Sequence, residues 1–202
     1  SLCFSANHLL TIINDILDMA KIEAGKIQLE RIDFSLNEVL DGLQSSFIIK
    51  VKEKGLNFSI EKEEGVPDML VGDQVRLTQI LNNLLSNAIK FTREGFVCVK
   101  IKAQRKSNGQ YRLYFDIADS GIGISKDKLD QIFDNYTQAK ADTTRQYGGT
   151  GLGLSICKRL VGLQGGKIGV KSEEGLGTTF SFSLDYQRST QKKVQKERKT
   201  DF

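Results

Sequence analysis

Residues 5–24 (SANHLLTIINDILDMAKIEA) place Leu9, Ile13, Ile16 and Ala20 at helical spacing, and Leu10, Ile12, Leu17 and Met19 widen the stripe. His8, Thr11, Asp15 and Asp18 fall on the other side, and Gly25 ends the pattern. So broad an apolar face predicts a long helix packed in a bundle, within one chain or across a dimer. After it the period changes and α and β patterns alternate. Residues 26–34 read as a strand, and Ser35 caps a helix reaching about residue 54. A strand at 56–60 precedes the only proline, Pro67, and Asp73 opens a helix that runs to Phe91. Two alternating runs, 95–104 and 111–118, flank Ser107-Asn108-Gly109, a hairpin signal. A short helix at 126–133, an irregular polar stretch at 135–146, a helix at 152–163 and strands at 167–172 and 178–186 complete the pattern.

Composition narrows the class. The chain has 202 residues, 39% apolar and 27% charged, enough for a packed core and too apolar for wholesale disorder. No uninterrupted apolar run approaches the roughly 20 residues of a membrane span. Three cysteines without a CxxC spacing, and a single histidine, disfavour a protein-built zinc site and point to a reducing compartment. The net charge of +4 is confined to residues 187–202, which hold six basic and two acidic residues. The rest is neutral, so the basic balance marks a tail, expected to be a disordered linker, and no nucleic-acid groove.

Three segments carry candidate chemistry. On the helix from Asp73 to Phe91, Gln79, Asn83, Asn87 and Lys90 fall within an arc of roughly 80°, opposite Leu77, Ile80, Leu81, Leu84, Leu85 and Ala88. Carboxamide oxygens are hard ligands suited to Mg²⁺, and a lysine one turn on can meet a phosphate. An ordinary solvated helix face has the same pattern. Asp119-Ser120-Gly121-Ile122-Gly123 ends an apolar strand, where an aspartate can accept from an exocyclic amine and glycines admit a ligand closely; alone it is also a turn. Gly148-Gly149-Thr150-Gly151-Leu152-Gly153-Leu154 leads straight into a helix, the arrangement of an anion site. It fits neither GxGxxG with a following acid nor GxxxxGK[ST]. Between these lie Phe133-Asp134-Asn135-Tyr136 and a polar stretch with Arg145, which suit a mobile cover as well as any long surface loop.

Taken in order, these segments resemble the catalytic ATP-binding domain of sensor histidine kinases, especially the hybrid type. Residues 83–92 look like the N box, Asp119–Gly123 like the first glycine box, and Phe133–Tyr136 like the F box. Gly149–Gly153 look like the second glycine box, and Gly175-Leu176-Gly177-Thr178-Thr179-Phe180 like a short third one. Residues 9–27 are similar to the second helix of the dimerisation and histidine-phosphotransfer domain.

The resemblance implies an α+β fold: a two-layer α/β sandwich of the gyrase-like ATPase type, a mixed sheet packed on helices, with a long N-terminal helix. It divides the chain into residues 1–25 (phosphotransfer-domain helix), 26–186 (catalytic domain) and 187–202 (basic linker). It implies ATP and Mg²⁺ as cofactors. Asn83 and Asn87 would hold Mg²⁺ through the nucleotide and Lys90 would contact phosphate. Asp119 would accept from the adenine amine, with Gly121 and Gly123 leaving room. Phe133 and Arg145 would serve the lid, and Gly149, Thr150, Gly151, Leu152 and Gly153 the lid hinge and phosphates. Thr179 would help at the adenine.

The implied reaction is transfer of the ATP γ-phosphate to a histidine for relay to a response-regulator aspartate. In the family that histidine is followed by an acidic residue on the first helix. His8 is followed by Leu9 and lies on the segment matching the second, so the acceptor is expected upstream of Ser1, and no catalytic residue is expected in this chain. Alone, it is expected to bind ATP without phosphorylating itself. Expected partners are the phosphoacceptor helix of the same or a partner protomer, a receiver domain and a second copy in a homodimer, with no nucleic acid. The expected location is cytoplasmic, as the soluble portion of a membrane-anchored sensor. A nucleotide-sensing module without kinase activity, or another ATPase of the superfamily, remain the competing readings.

Overall fold

The computed structural model describes residues 16–133 and 151–191, together with Ile13. Their first element, α1 (residues 16–23), buries Met19 and Ile22 against the body of the fold while Ile16 and Leu17 stay half-exposed. Gly25, at φ 63°, closes it by donating to the Ile22 carbonyl at 3.0 Å.

The remaining elements are β1 (Ile32–Ser35), α2 (Leu36–Lys54), β2 (Asn57–Lys62), β3 (Met69–Gly72), α3 (Gln74–Phe91), β4 (Phe96–Arg105) and β5 (Tyr111–Asp119). They are followed by α4 (Lys126–Leu129), α5 (Gly153–Leu163), β6 (Lys167–Glu173) and β7 (Gly177–Arg188). β7 is the spine of the sheet. One of its edges pairs with β5, continuing to β4 and β2; the other pairs first with β6 and, at Gln187 and Arg188, with β3 and through it β1. The β2–β4 pair is parallel and the others are antiparallel, so the sheet is mixed.

Alternation along the strands fixes the layers. Leu113, Phe115 and Ile117 on β5, and Phe180, Phe182, Leu184 and Tyr186 on β7, are buried on one face beneath the helices. Phe115 and Phe182 stack at 4.6 Å in its centre. The opposite face carries Arg112, Asp116, Ser181 and Asp185: Ser181 donates to Asp116 at 2.6 Å, and Arg112 grips Asp185 at 2.7 and 2.9 Å. This is the expected two-layer sandwich.

Helix ends show how the sequence sets element boundaries. Ser35 accepts from the Glu38 N–H at 3.2 Å and Asp73 from the Arg76 N–H at 3.0 Å, both as N-caps. The C-terminus of α3 is closed from outside: Lys54, the last residue of α2, donates to the carbonyls of Ile89, Lys90 and Thr92 at 2.5, 3.1 and 3.0 Å. A cation there also suits the negative end of the helix dipole.

Four expectations are corrected. Of the strand expected at 26–34 only Ile32–Phe34 finds a neighbour to pair with, and the pairing runs on to Ser35. β3 was not expected, because four residues are too short to show a period. The helix expected at 126–133 stops at Leu129, and residues 130–133 form turns. The linker does not begin at residue 187: Gln187 and Arg188 pair with Val71 and Leu70, and Ser189 donates to the Met69 carbonyl at 2.9 Å.

Candidate functional site

The candidate site is built on α3. Its apolar side, Leu77, Ile80, Leu81, Leu84, Leu85, Ala88 and Ile89, is buried, which turns the amide stripe along one edge of the helix layer. The stripe divides into two. Gln79 is used structurally: it accepts from Arg76 at 2.9 Å and donates to Asp18 of α1 at 2.7 Å, while Arg76 and Asp18 lie 3.8 Å apart. Gln79 therefore ties α1 to the body. Asn83 is different. Its Nδ2 is buried with no hydrogen-bond partner among the described residues, and a Cβ placed on Gly153 would lie 3.7 Å from its Cγ. The start of α5 thus approaches Asn83 closely enough to leave the amide facing a narrow space. Asn87 and Lys90 follow in the next turns, both half-buried. The Lys90 ammonium sits 4.7 Å from the centre of the Phe91 ring, and burial pulls its pKa below the usual lysine value.

The end of α3 meets the loop after β5. The Phe91 carbonyl accepts from the Ile122 N–H at 3.3 Å, and a Cβ on Gly121 would stand 2.7 Å from that same oxygen. From Asn83 to Phe91 the helix advances roughly 12 Å, so one element connects the start of α5 to the end of β5.

Asp119 is the last residue of β5 and is buried. Burial raises its carboxyl pKa, and the backbone N–H groups of Gly121 and Thr178 act against that rise. The Gly121 N–H reaches Oδ1 at 2.9 Å, an Asx turn that orients the carboxylate. Gly123, at φ 68°, lies so close to β6 that a Cβ would run into the Glu173 carbonyl. Asp119 pairs with Thr178 across β5 and β7, whereas Thr179 pairs with Ala118. Side chains alternate between faces, so Thr178 shares the inner face with Asp119, and Thr179 points to the other side. Thr179, expected at the adenine, thus lies on the face opposite Asp119, and its neighbour Thr178 takes the position beside the carboxylate. The motif names both threonines, and the period-two spacing of Phe180 and Phe182 is the sequence signal that separates them.

Phe133 packs back onto the sheet, edge-on to Phe180 with centroids 6.1 Å apart, and Lys158 of α5 lies 5.8 Å from its ring centre. Gly151 takes φ 71°, and the Leu152 carbonyl accepts from Ile156 N–H and Ser155 Oγ at 2.9 and 2.8 Å, so α5 starts as expected. His8, Arg145, Gly149 and Thr150 lie outside the described residues, as do Asp134, Asn135 and Tyr136 of the F box. Among the described residues no group of acidic, histidine or cysteine side chains could hold a metal by itself.

The chain belongs to the family described as "Histidine kinase-, DNA gyrase B-, and HSP90-like ATPase", whose model matches residues 72–188, and it carries the catalytic ATP-binding domain of that family. It is 46% identical over 180 residues to hybrid signal transduction histidine kinase B of Dictyostelium discoideum, covering 89% of this chain and 9% of that protein. It is 41% identical over 181 residues to the signal transduction histidine-protein kinase BarA of Escherichia coli, covering 90% of this chain and 20% of the relative. The chain thus spans a fifth or less of the length of these relatives. Among solved structures, full-length ShkA in complex with AMPPNP superposes with a TM-score of 0.78 at 32% identity, over 92% of this chain and 37% of that one. The catalytic domain of the histidine kinase ThkA superposes with a TM-score of 0.62 at 28% identity, over 77% and 97%.

Proposed function

We propose that this chain is the ATP-binding catalytic unit of a hybrid-type histidine kinase, which passes the γ-phosphate of ATP to a histidine on a helix outside this chain. A receiver-domain aspartate is the onward acceptor, and the whole protein acts as a homodimer anchored at a membrane. Residues 1–25 are assigned to the phosphotransfer domain, 26–189 to the catalytic domain, since Ser189 still bonds to Met69 beyond the end of β7, and the basic residues that follow to the linker.

The observation that carries this reading is the pair of recognition points that α3 connects. At one, Asp119 and Thr178 stand side by side on the inner face at the end of β5. At the other, the Asn83 amide nitrogen, without a partner among the described residues, faces the glycine start of α5. The first suits a base with an exocyclic amine, and the second suits phosphates. The residues also fit Mg²⁺: Asn83 and Asn87 offer hard carboxamide oxygens one turn apart, and an ion held mainly by phosphates and water needs few protein ligands. When bound, the ion neutralises phosphate charge. The protein's own part is placement. Asp119 fixes the base, Asn83 and Asn87 hold the metal-bearing end, and Lys90, kept partly desolvated, offers its ammonium to a phosphate oxygen.

The test is incubation with labelled ATP, Mg²⁺ and a separately prepared acceptor-helix domain. Acid-labile label on the acceptor histidine is expected. Nucleotide binding without transfer would leave a sensing module and overturn the kinase assignment.

A further inference from the structure

Three strands align a row of side chains on the inner face: Ser172 of β6 pairs with Thr178 of β7, which pairs with Asp119 of β5. Ser172 Oγ lies 2.8 Å from the Gly177 carbonyl, 2.8 Å from Thr178 Oγ1, and accepts from the Ile124 N–H at 2.8 Å. A serine hydroxyl has one proton and two acceptor positions. A carbonyl can only accept, so the proton goes to Gly177. The acceptor positions are then filled by the Ile124 N–H and by Thr178, which must donate to Ser172. The Thr178 proton is thereby committed away from Asp119, and its oxygen offers the base end of the site lone pairs only.

We propose that Ser172 is a positioning residue for base selection: it holds the Thr178 hydroxyl as an acceptor beside the Asp119 carboxylate, so the site admits 6-amino purines and rejects 6-oxo purines. This rests on the nucleotide reading above. A purine amine presents N–H donors to two acceptors. An oxo group in its place opposes lone pairs to lone pairs, the kind of mismatch by which buried polar groups discriminate strongly. Ser172 contacts neither base nor phosphate in this scheme; it acts through Thr178.

The experiment compares ATP with inosine triphosphate, which differs at the purine by the 6-oxo group and N1–H, in titrations of the full chain with Mg²⁺. The wild type is expected to prefer ATP. Ser172→Ala frees Thr178 to rotate and donate, and is expected to narrow the ratio of the two affinities about tenfold, equivalent to about 1.4 kcal/mol. Ser172→Thr keeps the hydroxyl and is expected to retain the wild-type ratio. Should Ser172→Ala fail to fold with the Ile124 N–H left unpaired, Ser172→Cys, a similar volume with a weak donor, carries the same expectation. In a Thr178→Val background the Ser172 substitution should change the ratio no further, because the group it acts through is gone. An unchanged ratio with both affinities equally reduced overturns the proposal, as does a shift that persists without Thr178. A wild-type chain that binds neither nucleotide overturns the parent reading, a result distinct from either.

Discussion

Asp119 and Thr178 sit opposite one another on β5 and β7, and the Thr178 backbone N–H is one of two that hold the Asp119 carboxylate. Among the described residues no cation faces the buried carboxylate, and burial is the larger influence on it. A charge kept there costs the empty protein stability. The group's pKa is raised on folding, so its contribution is favourable while it is protonated. That contribution is lost as pH climbs from the ordinary aspartate range through the raised folded value. Asp119→Asn is therefore expected to melt higher than the wild type at neutral pH without nucleotide, by roughly 2–4 °C for each kcal/mol relieved. The difference should close as the pH falls below the ordinary aspartate range. Thermal melts across pH check this; a neutral-pH melt lower than that of the wild type would contradict it.

The other face of the sheet titrates with the opposite sign. Arg112 and Lys106 hold the Asp185 carboxyl down to about 2, Arg112 having the larger effect. Stability from this cluster is present above the ordinary aspartate range and is lost as pH falls toward that value. The groups are partly solvated, so Asp185→Asn should cost no more than about 1 kcal/mol at neutral pH. Nucleotide affinity should be unchanged, since the cluster lies on the face away from Asp119. Melts and an ATP titration of the same variant test both statements.

Two glycines of the site should respond differently to alanine. At Gly123, φ is 68° and a Cβ would meet the Glu173 carbonyl. Gly123→Ala should lose about 1–3 kcal/mol from backbone strain alone. At Gly153 a Cβ would make ordinary contact, 3.7 Å from Asn83 Cγ. Gly153→Ala should leave the empty protein as stable or more stable, by up to about 1 kcal/mol of helix propensity. It should weaken ATP binding, because the methyl group enters the space beside Asn83.

Docking of α1 depends on Met19 and Ile22 below and on the Asp18–Gln79–Arg76 contacts at its side. Met19→Ala should remove about 2–5 kcal/mol of packing. Hydrogen exchange over residues 16–23 should then accelerate while the Phe115–Phe182 core stays protected.

Much of this was legible in the sequence, where local pattern decides. Ser35 and Asp73 announce their helices, and the leucines of α3 leave no doubt about which side is buried. What escaped depends on partners distant along the chain. β3 exists because β1 and β7 flank it, and a run of four residues shows no period of its own. Residues 187 and 188 are exposed and polar, so nothing local marks them as the strand end that completes β3. Gln79 matches Asn83 in type and face, yet Asp18, 61 residues away, claims it. Thr178 and Thr179 are identical letters, and what tells them apart is the alternation of Phe180, Phe182 and Leu184 after them, which puts Thr178 on the buried face.

The most direct test of the account is calorimetric titration of the chain with ATP and Mg²⁺, wild type against Asp119→Asn. Exchange of a carboxylate for an amide reverses one hydrogen-bonding position toward a base amine, and hydrogen bonds to charged groups contribute about 1.5–3 kcal/mol. The account predicts one saturable site in the wild type and an affinity at least about tenfold weaker in the variant. Equal affinity in the two proteins would contradict it.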